Sequence, residues 1–345
     1  MKRTAAILLA LALVFALTAC GGTAATEPTA APATQAPVAN TDPDPVPEDT
    51  VKEINIGVCI YKFDDNFMTL YRTELERYLK EDLSSDDVKC NVTVVDGKGD
   101  QAEQTNQIDT FIANQVDVII CNLVQSSSAA TVIDKCKAAD IPVIFINREP
   151  TPEDMALWDK IAYVGADARQ SGTFQGEIIA ETANKGDWNG DGVVSYVMIM
   201  GDPENVDAQY RTEFSIKALT DAGIEVEELV KQRGDWAQEK GQELANTALT
   251  QFGDQIDVIF CNNDAMALGA AQAITANGRT VGEDIYLVGV DALEECQQMV
   301  KDGTMTGTVL NDHIGQSHTA ADVALKAVNG ETLEKNYTVD YVKLV

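Results

Sequence analysis

From about residue 54 onward the chain alternates two kinds of apolar pattern. Short β-rich runs at 54–60, 92–95, 118–121 and 143–146 are separated by helical patterns near 68–79, 104–114 and 129–139. The alternation restarts with runs at 163–164, 196–200, 226–230, 258–261, 287–290 and 306–310. Strands apolar on both faces cannot leave either face to water, so the pattern predicts parallel sheets with helices on both sides. One octapeptide returns almost unchanged. Gln-Val-Asp-Val-Ile-Ile-Cys-Asn at 115–122 recurs as Gln-Ile-Asp-Val-Ile-Phe-Cys-Asn at 255–262, the same at six of eight positions. Each copy precedes a helix and then an apolar strand that ends on a polar residue, Asn147 or Asp291. The expectation is two similar, Rossmann-like, doubly wound α/β lobes facing each other.

The N-terminal pattern is different. Met1-Lys2-Arg3 leads into an apolar stretch at 5–16 and then Leu17-Thr18-Ala19-Cys20, which reads as a secretory signal over 1–20. Its apolar part is too short for a comfortable membrane span. Residues 21–50 are Ala, Thr, Pro, Glu and Asp, with six of the ten prolines. Such a composition cannot bury a core and reads as an extended tether. The remaining body is long enough for two domains.

Charge and cysteine usage narrow the classes further. A net charge of -30 argues against nucleic acid and against adhesion to anionic lipid. Six cysteines lie beyond Cys20 without a CxxC pair, and Cys59, Cys121 and Cys261 sit inside apolar runs. Scattered buried thiols fit this better than a disulfide framework or a zinc site.

Ligands of open α/β sheets bind beyond the carboxyl ends of the strands. Those ends hold Tyr61 to Phe67, Asn147-Arg148-Glu149, Asp202 to Arg211, Trp236, Asn262-Asn263-Asp264, Asp291 and Asn311-Asp312. Any one of these is an ordinary cap or turn residue; Asp264, before Ala-Met-Ala, is the expected cap of its helix. Together they are carboxylates, amides, an arginine and aromatics. No GxSxG, HExxH or phosphate loop accompanies them, and the two histidines, His313 and His318, fall after the last strand end. Acids and amides satisfy hydroxyls in both directions, and flat rings pack on the apolar faces of a pyranose, so the set suits a sugar.

At this point the chain resembles a family, the galactose/glucose-binding proteins of bacterial ABC transport, of the type I periplasmic binding fold. The residues concerned are YKFDDNF at 61–67, Gly201-Asp-Pro with Asp207-Ala and Arg211-Thr212, NNDAMA at 262–267, GVDAL at 289–293 and GTVLND at 307–312. The resemblance implies an α/β protein of two doubly wound lobes, 52–166 with 312–335 and 167–311 with 336–345, joined by a three-segment hinge. It implies D-galactose or D-glucose between the lobes, with Phe67 and Trp236 sandwiching the ring. Asp65, Asn147, Asp207, Arg211, Asn263, Asp291 and Asn311 match the hydrogen-bonding residues, Asp65 taking the fourth hydroxyl of either epimer. Asn205 stands where the family has a histidine. The same resemblance implies a structural Ca2+ on Asp187, Asn189, Asp191, the Val193 carbonyl, Ser195 and Asp257, the last two replacing longer side chains. Cys20 after Leu-Thr-Ala resembles the lipobox of bacterial lipoproteins, which implies lipidation there and an extracytoplasmic, membrane-anchored protein. A monomer delivering its hexose to an ABC transporter permease is the implied role, with a chemoreceptor or sensor kinase as a second partner. Three alternatives stand beside it: a binding protein for a pentose or hexosamine, a sugar sensor, and a carbohydrate-processing enzyme.

Overall fold

A computed structural model of the chain describes residues 51–345. The segments read as signal and tether, Cys20 included, lie outside the described residues. The first lobe opens with β1 (Lys52–Ile60), α1 (Asn66–Arg77), β2 (Val88–Asp96), α2 (Gln101–Ala113), β3 (Val118–Cys121), α3 (Ala129–Ala139), β4 (Val143–Ile146), a single turn α4 (Pro152–Met155), and β5 (Ile161–Gly165). All five strands pair in parallel, with β1 flanked by β2 and β3, so the chain reverses direction across the sheet at the β1/β3 boundary. Alternate positions of one strand serve two cores. Ile56, Val58 and Ile60 pack with Met68, Tyr71 and Leu75 of α1, whereas Cys59 packs with Ile108, Phe111 and Ile133 of the opposite layer.

The chain leaves this lobe at residues 166–167. The second lobe follows as α5 (Ala168–Ala180), β6 (Val194–Met200), α6 (Val206–Asp221), β7 (Val226–Arg233), α7 (Gln238–Phe252), β8 (Val258–Cys261), α8 (Asp264–Ala276), β9 (Tyr286–Val288), α9 (Glu294–Lys301) and β10 (Thr308–Leu310). Its parallel sheet runs β7-β6-β8-β9 and repeats the arrangement of the first, with β6 between its second and third strands. The repeated octapeptides end on β3 and β8, each the third strand of its lobe.

Two further crossings complete the molecule. After Asn311 the chain returns as α10 (His313–Val328), whose Ala320, Ala321, Val323 and Ala324 join the α1 side of the first core. Next, β11 (Asn336–Thr338) pairs in parallel with β5, adding an edge strand to the first sheet. Only then does β12 (Val342–Leu344) pair antiparallel with β10. The third crossing therefore falls between Thr338 and Val342. Residues 336–338, expected in the second lobe, belong to the first because their backbone completes the edge of its sheet. All six described cysteines are buried and unpaired. No helix among the described residues is long and apolar enough to cross a membrane.

Candidate functional site

The carboxyl ends of the two sheets face a shared cavity. The ten ligand residues expected from the sequence all line it: Asp65, Phe67, Asn147, Asn205, Asp207, Arg211, Trp236, Asn263, Asp291 and Asn311.

On the first lobe, Asp65 closes the turn from β1 into α1. Its Oδ1 accepts the Met68 N–H at 2.7 Å as the helix N-cap, and its Oδ2 accepts the Tyr61 hydroxyl at 2.6 Å. Both oxygens are thus fixed before any ligand arrives. Phe67 follows in the first helical turn, buried and edge-on to Tyr71. Asn147 leaves β4 with φ at 61°, in the left-handed region. Its side-chain oxygen accepts from Asn122 at 3.1 Å and its carbonyl from the Tyr163 hydroxyl at 3.0 Å.

On the second lobe, Asn205 caps α6 by accepting the Asp207 N–H at 3.0 Å. Asp207 and Arg211 are one turn apart on that helix, 4.0 Å from each other and both buried. Arg211 donates through Nη1 to the Asn262 carbonyl at 2.7 Å and through Nη2 to the Tyr341 hydroxyl at 3.1 Å. Its Nε–H is buried without a partner. Asn263, rather than the expected Asp264, caps α8, accepting the Met266 N–H at 3.0 Å and donating to the Trp236 carbonyl at 3.3 Å. Asp264 is turned into the core instead, where it accepts from Leu293 N–H at 2.8 Å and the Thr308 hydroxyl at 2.7 Å. Asp291 accepts from the Asn311 amide at 3.2 Å, and Asn311 in turn accepts from Gln316 at 2.6 Å.

Trp236 has φ at 66° and Asp291 at 123°, so with Asn147 three site residues hold backbone conformations that L side chains avoid. Strain of this kind costs about 1–3 kcal/mol per residue and concentrates where function requires a fixed geometry. Gly201 makes the Trp236 position possible: a Cβ there would lie 2.3 Å from the indole ring.

Burial dominates the electrostatics. It raises the Asp207 carboxyl to about 6 against the opposing pull of Arg211, and it raises Asp291 well above the ordinary range, again with Arg211 opposing. Three acids and two guanidiniums, Arg148 and Arg211, line the cavity together with the rings of Tyr61, Phe67 and Trp236, so it is a polar set of acceptors and donors with aromatic faces. Neither histidine lines it; His318 Nε2 lies 2.6 Å from Glu74 and its ring stacks on Tyr78. The arrangement is built to hold hydroxyls and offers no nucleophile beside a base.

Three lining residues were not singled out from the sequence: Tyr61, Met68 and Arg148. Tyr61 and Arg148 lay within the strand-end segments, and the signal for them was that position. Arg148 stacks 4.0 Å over the Tyr61 ring and reaches Asp202 of the other lobe at 3.8 Å. Met68 carried no signal beyond its place on an apolar helix face.

The loop at 187–195 lies apart from this cavity, at the amino end of β6. Its turns are held by its own oxygens: Asp187 accepts from Gly190 and Gly192 N–H, Asn189 from Asp191, and Asp191 from Val193, all at 2.7–2.9 Å. Such turns present several hard oxygens from one loop, as calcium requires. Asp257 behaves differently. Buried, it accepts the N–H groups of Trp188, Asn189 and Ser195 at 2.9–3.1 Å, so both its oxygens face the loop backbone. Among the described residues no three His, Cys, Asp or Glu side chains converge to hold a metal ion. The loop's oxygens fit a hard cation; Asp257 as drawn in here is a backbone acceptor.

Fold and site together define a two-lobed solute-binding protein. The chain belongs to the periplasmic binding protein domain family, which it matches over residues 56–332. It is 35% identical to the D-galactose/methyl-galactoside binding periplasmic protein MglB of Haemophilus influenzae, over 80% of this chain and 82% of that one. A putative rhizopine-binding protein of Rhizobium meliloti is 34% identical over 83% of this chain and 88% of its own length. Among solved structures, an ABC transporter solute-binding protein of Bacillus halodurans with bound myo-inositol superposes with a TM-score of 0.73 at 27% identity, covering 86% of this chain and 96% of that one.

Proposed function

We propose that the protein captures D-galactose or D-glucose between its lobes and delivers it to an ABC transporter permease. The observation that carries this reading is the convergence of ten residues, scattered from Asp65 to Asn311 in sequence, on one cavity between the lobes. Phe67 and Trp236 supply flat faces; Asp65 meets the sugar with an oxygen geometry set by Tyr61 and the α1 cap. The relative named for D-galactose and methyl-galactoside supports the same ligand. Calorimetric titration with a panel of sugars tests it. Roughly micromolar binding of either hexose, about -8 kcal/mol, is the expected result. Binding of neither hexose alongside tight binding of ribose or an amino sugar would overturn the specificity.

A second reading, another sugar or a cyclic polyol, is favoured by one residue. Asn205 lines the cavity where the resembling family has histidine, and its side-chain oxygen is already engaged by the Asp207 N–H. Relatives named for rhizopine and ribose, and a structure with bound myo-inositol, mark the range for the same panel. Lipidation at Cys20 would hold the protein at the outer face of the membrane, and Cys20→Ala should then release it into the soluble fraction. Calcium on the Asp187, Asn189, Asp191, Val193 and Ser195 oxygens would brace the second lobe, with Asp257 shaping the loop. A chemoreceptor or sensor kinase remains a second partner class for the closed form, and a monomer suffices for each role.

A further inference from the structure

Arg211 has five N–H donors, and the protein holds only some of them. Nη1 is fixed by the Asn262 carbonyl and Nη2 by the Tyr341 hydroxyl, while Nε–H is buried and unpartnered in a residue that lines the cavity. A buried donor without an acceptor is costly, and an oxygen of the ligand is what can satisfy it. Whether it is met well depends on the plane of the guanidinium, which two anchors set. One of them, Asn262, sits at the end of β8 within the second lobe. The other is less expected. Tyr341 lies on the third crossing, three residues after β11 leaves the first sheet and directly before β12. It is buried, packs with Val290 and Val309, and its own N–H donates to Gln170 of α5 at 2.8 Å. The tyrosine is therefore fixed at its backbone to the helix that follows the first crossing and at its hydroxyl to the site.

We propose that Tyr341 is a positioning residue for ligand binding: its hydroxyl fixes the Arg211 guanidinium so that Nε–H is left for the ligand, and it ties that contact to the third crossing segment. This rests on the reading of the cavity as a sugar site. Loss of the hydroxyl alone frees one end of the guanidinium and leaves the ring packing intact. The ring keeps its place in the core, so the variant should fold with only a modest loss of unliganded stability, from the one N–H left without its acceptor, while affinity falls.

The test is a cycle of Tyr341→Phe, Arg211→Met and the double variant in the full chain, titrated calorimetrically with D-galactose and D-glucose and melted without ligand. Tyr341→Phe should weaken binding about tenfold with an unliganded melting temperature no more than about 5 °C below the parent. In the Arg211→Met background the same change should cost less than about twofold, because the group it positions is gone. An unchanged dissociation constant for Tyr341→Phe, with the parent binding normally, would overturn the inference and leave the sugar reading standing. Equal losses in both Arg211 backgrounds, or failure of Tyr341→Phe to fold, would overturn it too, since either marks a merely structural tyrosine. A parent protein that binds neither hexose would sink the sugar reading itself, and this inference with it.

Discussion

Asp207 shows at the scale of one residue how the site trades stability for readiness. Its carboxyl titrates near 6 when folded, against 3.8 for the ordinary group, because burial penalises the charged form more than Arg211 relieves it. Between those values the native state binds more protons than the unfolded chain. The stabilisation from this group is complete below about pH 4 and is lost as pH rises through 6, a change on the order of 3 kcal/mol. Asp291 is shifted in the same direction and adds to the trend. The unliganded protein should therefore melt higher near pH 5 than near pH 7. Asp207→Asn should flatten that slope and raise the melting temperature at neutral pH while weakening sugar binding; paired melts and titrations check both halves. Trp236→Ala addresses the other face of the ligand. Removing the indole should cost most of the affinity with the far-ultraviolet spectrum unchanged, since the ring lies at the cavity and is only partly buried.

Elements position these residues through their ends. Asp65, Asn205 and Asn263 are each the N-cap of a helix and each line the cavity, so capping and ligand contact are two uses of one side chain. Asn263→Ala should destabilise the second lobe by about 1 kcal/mol and weaken binding as well, whereas an exposed cap would show only the first effect. Most of the sheets were legible in the sequence, because strands covered on both faces are continuously apolar and few other structures are. The cap of α8 was misread by one residue: Asn-Asp offers two equal capping chemistries, and the Leu293 N–H and Thr308 hydroxyl that draw Asp264 inward lie far along the chain. The strand Asn336–Thr338 was assigned to the wrong lobe for a similar reason. Three residues carry no periodicity, and only pairing with β5 decides where they belong. The site residues that the sequence reached came through the ordered resemblance; Arg148 and Tyr61 needed the two strand ends to be seen together.

At the scale of the molecule, the cavity is lined from both lobes, so the form described is the closed one. Arg148 on the first lobe and Asp202 on the second form an ion pair across the cleft at 3.8 Å, with Arg233 also reaching Asp202 at 3.3 Å. Opening must break the first of these contacts and keep the second, which lies within one lobe. Asp202→Asn should shift the unliganded protein toward the open form, visible as a larger radius in small-angle scattering, and should lower hexose affinity several-fold. The calcium proposal is read from the same melts. Millimolar calcium should raise the melting temperature over that in chelator, about 4 °C at a hundredfold excess over the dissociation constant, and magnesium should do less. Equal melting in both would mean that the Asp257 carboxylate alone organises the loop through its three N–H contacts.

The late arrival of β11 has a consequence for how the chain is made. Its partner Tyr163 on β5 precedes Asn336 by about 170 residues, and the helix that covers the first core, α10, also follows all of the second lobe but β12. Synthesis runs from the N-terminus, and a domain ordinarily folds once its last segment has emerged. Here the first lobe lacks both an edge strand and a covering helix until residues 313–338 have been made. A chain cut after Leu310 should accordingly remain protease-sensitive throughout its first lobe. Crossing back twice between the lobes thus makes the first lobe's folding wait on segments made long after its opening strands.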